Sequence, residues 1–144
     1  MRPAAIGLAL GLLLAGVASA ALPARGTAQA VMIEVPVHAQ GGSGEMGFAT
    51  LEAVGNQTKV TLHLSGLPAG ADQPSHIHEG TCANLNPAPA FPLNNVRGPD
   101  TESTVDVSLQ TLMSKPYAIN LHQSAQQLPN YVACGDLSWS GTTS

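Results

Sequence analysis

The sequence predicts an all-β domain, an antiparallel β-sandwich or flattened barrel of seven or so short strands. Apolar and polar residues alternate with period two in several segments, as in residues 59–65, where Val60, Leu62 and Leu64 form the apolar set. Turns rich in glycine, such as residues 41–44 and 66–70, separate these segments. No segment has a convincing helical period, and therefore helices are not expected to build the core.

The predicted strands follow one another from Val31 onwards. Their bounds are 31–38, 46–54, 59–65, 103–109, 116–122 and 131–137. The best helical candidate is a short turn around residues 108–114. Residues 79–101 are rich in Pro and Asn and are predicted to be a long loop, of the kind that compact domains usually keep for function or hold in place.

The first residues are typical of an export signal. Arg2 precedes an apolar run over residues 4–17, and Ala18-Ser19-Ala20 is a small-residue cleavage site. The run is shorter than the ~20 residues that a transmembrane helix requires. The expected organisation is a signal peptide (1–20), a flexible lead-in (21–30), the β domain (31–138) and a tail (139–144). The mature protein is expected in the periplasm or outside the cell, without a membrane anchor.

The charge balance excludes two classes of partner. The whole chain has a net charge of −4, and removal of residues 1–20 leaves four basic residues against nine acidic ones. Nucleic acids and anionic membranes are recognised by basic surfaces, so neither is an expected partner.

Cys82 and Cys134 are the two cysteines of the chain. In an exported protein, two cysteines most simply form one disulfide, and two buried free thiols are the alternative.

Histidines supply the candidate metal ligands. His76 and His78 are two residues apart, so on a strand they share one face, while Ile77 points into the core. Their Cα atoms are then ~6–7 Å apart, a spacing at which two imidazoles can chelate one ion. The alternative for such a pair is a polar surface without a metal.

A third histidine is expected on the outer face of another strand. Tyr117, Ile119 and Leu121 are predicted to face the core, so Asn120 and His122 face away from it. If the two strands are neighbours, three imidazoles converge, a ligand set that suits copper or zinc. His38 and His63 are interpreted as solvated surface residues, and a role for either as a fourth ligand stays open.

Three segments resemble the copper/zinc superoxide dismutases. Residues 75–82 (SHIHEGTC) resemble that family's first copper-binding segment, residues 117–122 (YAINLH) its late strand with another copper histidine, and residues 131–135 (YVACG) its terminal A-C-G segment. The same segments resemble CHRD domains. The resemblance implies a Greek-key β-sandwich or flattened barrel of about eight antiparallel strands. It also implies copper ligation by His76, His78 and His122 and a Cys82–Cys134 disulfide that anchors the long loop.

The sequence also departs from this family. No histidine lies between Cys82 and His122, so no zinc site is expected and the fourth copper ligand is missing. Tyr131 stands where the enzymes have an arginine that attracts superoxide. The main expectation is an exported copper-binding protein in copper handling or superoxide metabolism, with the copper ion as ligand and superoxide as a candidate substrate. The alternatives are a copper-only superoxide dismutase and a metal-free, CHRD-like extracellular interaction module.

Overall fold

A computed structural model describes residues 30–137 as eight strands and one short helix. The elements are β1 (Met32–Ala39), β2 (Met46–Val54), β3 (Gln57–Ser65), β4 (Ser75–Thr81), β5 (Asn84–Pro92), β6 (Asp100–Val105), α1 (Leu109–Leu112), β7 (Tyr117–His122) and β8 (Tyr131–Leu137). The predicted signal peptide, almost all of the lead-in and the tail lie outside these residues. None of the helical residues within this range forms a segment long and apolar enough to cross a membrane.

All eight strands belong to one curled antiparallel sheet with the order β5-β4-β7-β8-β1-β2-β3-β6. Consecutive strands pair as hairpins, except where the chain passes from β3 to β4, from β5 to β6 and from β6 to β7. These longer connections carry the chain across the sheet, as in a Greek key. The all-β prediction is confirmed.

The core lies on the concave side of the sheet. The inward residues predicted for β3, Val60, Leu62 and Leu64, are all buried. Ile77 of β4 lies opposite Ile119 of β7, and both are fully buried. Burying one aliphatic side chain of this size contributes about 1.5–3 kcal/mol, so this contact fixes β4 beside β7.

The prediction of a long loop over residues 79–101 is wrong for most of its length, since residues 79–81 end β4 and residues 100–101 begin β6. Residues Asn84–Pro92 form β5, which pairs with β4 through two register shifts. Proline is tolerated there because β5 is the last strand of the sheet, and an edge strand needs its backbone N–H groups on one side only.

The strand predicted over residues 103–109 begins and ends earlier in the chain. The strand is Asp100–Val105, and α1 begins after Ser108, whose hydroxyl accepts a hydrogen bond from the Thr111 N–H at 3.1 Å. This N-cap confirms the helical turn expected around residues 108–114.

The two cysteines form the predicted disulfide, with Cα atoms 5.8 Å apart. It joins the turn between β4 and β5 to β8. The Cys82 N–H also donates to the Asp136 carboxylate at 2.6 Å, which ties the same turn to β8 a second time. A disulfide of this kind is consistent with an oxidising environment.

Candidate metal centre

Three histidines converge where β4 and β7 run side by side. His76 of β4 lies opposite Asn120 of β7, and His122 follows two residues later on the same face. One ring nitrogen from each of His76, His78 and His122 lies within 4.8 Å of the others. The predicted convergence of the three imidazoles is therefore confirmed.

Backbone carbonyls orient two of the three rings. His78 Nδ1 lies 2.8 Å from the Asn86 carbonyl oxygen, and His122 Nδ1 lies 2.5 Å from that of Leu128. A carbonyl can only accept, so in both rings Nδ1 carries the hydrogen and Nε2 keeps its lone pair. His78 Nε2 is buried and has no hydrogen-bond partner. Metal-binding histidines are held in this way through the nitrogen that does not bind the ion.

In the third ring, that of His76, Nδ1 is the nitrogen that faces the cluster. His76 Nδ1 lies 3.0 Å from His122 Nε2 and donates a hydrogen bond to it, and a bound ion would take the place of that hydrogen; the centroids of these two rings are 5.0 Å apart. The His78 ring centroid lies 5.6 Å from that of His76 and 5.7 Å from that of His122. The candidate ligand atoms are therefore Nδ1 of His76 and Nε2 of His78 and His122.

The surroundings keep two of these imidazoles neutral. Burial, together with the neighbouring His122 and His78 rings, lowers the pKa of His76 to about 4. Burial also lowers the pKa of His122, although its hydrogen bond to the Leu128 carbonyl acts in the opposite direction. Both rings are neutral at pH 7, the state in which an imidazole nitrogen can bind a metal ion.

The histidines line a cavity of about 270 Å³ whose other walls are uncharged. Those walls are Pro87, Pro89, Leu128, Pro129 and Tyr131. The Tyr131 ring stands edge-on to His122 with centroids 5.3 Å apart. Tyr131 is thus part of the cavity wall. It stands at the position where the copper/zinc superoxide dismutases, which the sequence resembles, have an arginine.

His38 and His63 do not join the cluster. His63 lies on β3, where its Nδ1 is 2.7 Å from Asp100 and its ring stacks on Phe48. His38 lies on β1 opposite Cys134. The structure therefore gives neither of them as a fourth ligand.

Sequence reasoning found the three side chains but missed what orients and encloses them. The acceptors at Asn86 and Leu128 are backbone atoms, which no side-chain motif identifies. Two of the three proline walls, Pro87 and Pro89, come from β5, which was predicted to be part of a loop.

No family model, curated protein or solved structure matches the chain.

Proposed function

We propose that this chain is an exported copper-binding protein that holds one ion with His76, His78 and His122. The observation that carries the proposal is the cluster of three ring nitrogens within 4.8 Å of one another. Two of the rings are already oriented by carbonyls, so little ordering is left to accompany binding.

The donor set fits copper. Three neutral imidazoles are a ligand set that suits copper and zinc, and the Irving–Williams order places Cu²⁺ above Zn²⁺ in affinity for such nitrogen ligands. Bound copper would supply one-electron chemistry, and imidazole ligands tolerate both of its common oxidation states.

Copper handling in an oxidising compartment is the role that the surroundings support best. The export signal predicted for residues 1–20 and the Cys82–Cys134 disulfide both favour such a compartment. The resemblance to copper/zinc superoxide dismutases supports copper as the ion. Dismutation itself receives less support, because Tyr131 occupies the position at which those enzymes attract the superoxide anion with an arginine.

Copper titration of the mature protein against a competing chelator tests the proposal. One tight equivalent is expected in the wild type, with zinc binding at least tenfold weaker. His76→Ala and His122→Ala should each lose the tight site. His63→Ala is the matched control, because it removes a histidine that lies outside the cluster and should leave copper binding unchanged.

Binding that survives both cluster substitutions, or no tight binding, would refute the proposal and leave the metal-free interaction module as the better interpretation. Superoxide decay per bound copper then separates a carrier from a dismutase. A rate no faster than that of free copper is expected for a carrier.

A further inference from the structure

The basic residues of the described chain leave no free positive charge. Between residues 30 and 137 these are Lys59, Arg97 and Lys115. Each is paired with a carboxylate: Lys59 with Glu52 at 2.8 Å, Arg97 with Asp72 at 3.1 Å and Lys115 with Glu79 at 2.5 Å. All nine acidic residues of the sequence fall in the same range, so this part of the chain is negative overall.

The cavity at the three histidines also lacks positively charged side chains. No lysine or arginine lines it, and its walls between the histidines are three prolines, a leucine and a tyrosine. An anion entering this cavity would give up its hydration for an apolar surface, and no basic side chain lines the cavity to add to the attraction of a bound ion. A small uncharged molecule loses much less by the same transfer.

The cavity is large enough for such a molecule. Its volume of about 270 Å³ is several times the ~30 Å³ that one water molecule occupies in the liquid. His78 and His122 are almost completely buried, and all three histidines line this cavity, so it gives a ligand of the bound ion access to the cluster.

We infer that the open position of the bound copper takes small uncharged ligands, of the size of dioxygen or hydrogen peroxide, and discriminates against anions. This inference rests on the proposed copper site and names the class of molecule that reaches it. The discrimination comes from the uncharged walls and from the negative charge of the surrounding protein.

Two probes test the inference on protein already shown to contain one copper. Azide is the anion, followed by its absorption band on the Cu(II) form, and carbon monoxide is the uncharged probe, followed by its infrared band on the Cu(I) form. Azide should bind at least tenfold more weakly than it binds a copper(II) tris-imidazole complex in solution. Carbon monoxide should bind with one molecule per copper.

The inference also predicts how the affinity for azide changes with salt concentration. Raising sodium perchlorate from about 10 mM to about 100 mM shortens the Debye length from ~30 Å to ~10 Å. Because the protein repels the anion, azide affinity should stay constant or rise slightly. A severalfold loss of azide affinity would show an attracting positive charge and overturn the inference.

A charge placed on the wall provides the matched test. Leu128 is 45% exposed, and its hydrogen bond to His122 comes from the backbone carbonyl, which Leu128→Lys retains; copper titration first establishes that the variant holds one copper. An ammonium on the cavity wall should strengthen azide binding severalfold, because opposite charges attract more strongly where the effective dielectric constant is below that of bulk water. Leu128→Gln, of similar length and uncharged, should show no gain.

Wild-type azide affinity equal to that of the small complex, failure of carbon monoxide to bind, or an equal gain in both Leu128 variants would each overturn the inference. None of these results touches the proposed function, which fails only if the copper titration fails.

Discussion

Removal of the Cys82–Cys134 disulfide should destabilise the domain by an amount that the structure sets. The cysteines are 52 residues apart in sequence, and the chain-entropy relation for a loop of this length gives about 4 kcal/mol. Native disulfides of small exported domains typically contribute about 2–5 kcal/mol, so this value falls within the observed range.

This loss of stability can be expressed as a decrease in the melting temperature. At about 2.1 cal/mol/K per residue, the roughly 110 described residues give an unfolding entropy of about 230 cal/mol/K. A loss of about 4 kcal/mol then lowers the melting temperature by about 17 °C, and a loss of about 2 kcal/mol lowers it by about 9 °C. The substitution is Cys82→Ala with Cys134→Ala, which avoids leaving one reactive thiol.

Thermal unfolding followed by circular dichroism is the assay, with metal-free wild type in the presence and absence of dithiothreitol as the control. Reduced wild type and the double variant should melt at similar temperatures. Copper affinity should also fall, by about ten- to a hundredfold, because Asn86, whose carbonyl orients His78, lies four residues after Cys82. A decrease below about 5 °C in both samples would refute the loop-closure argument.

Three further predictions concern single residues. Metal-free protein should lose about 1–3 kcal/mol of stability as the pH falls from 6.5 towards 4, because the His76 imidazole takes up a proton at a higher pH in the unfolded chain than in the folded protein. An equal loss in His76→Gln, measured by urea unfolding, would contradict this. Gly80→Ala should lower stability by about 1–3 kcal/mol, since φ is +102° and the added Cβ would collide with the Asn84 carbonyl oxygen. An unchanged urea midpoint would exclude this strain. Ser108→Ala should cost about 0.5–2 kcal/mol through loss of the helix cap, and Ser108→Asp should recover most of it in the same assay.

The strands that could be predicted are those whose sequence pattern is local. The bounds of β2 and β8 agree with the sequence prediction, because alternation and flanking turn residues define both. β5 was missed because its prolines argue against a paired strand. That argument holds for central strands, and only the complete sheet order shows that β5 is an edge.

The candidate metal site, too, could be predicted only as far as the pattern within each strand allows. Strand periodicity places His76 and His78 on one face and His122 on the outer face of its strand. It does not show that β4 and β7 are neighbours, since that depends on connections far apart in sequence. Alternation places Asn120 on the same outer face as His122, in agreement with its position opposite His76, but it does not show that this face of β7 is buried as well.

The proline-rich edge has a consequence for self-association. The sheet is not closed by hydrogen bonds between β5 and β6, and exposed strand edges are the usual templates on which another chain adds a strand. Along residues 87–89, however, Pro87 and Pro89 have no N–H, and the Ala88 N–H already donates to the Asn86 side chain at 3.1 Å. Residues 87–89, beside the candidate copper site, therefore lack the free donors that an incoming strand requires, and the segment that walls the cavity also disfavours pairing with another chain at this part of the edge.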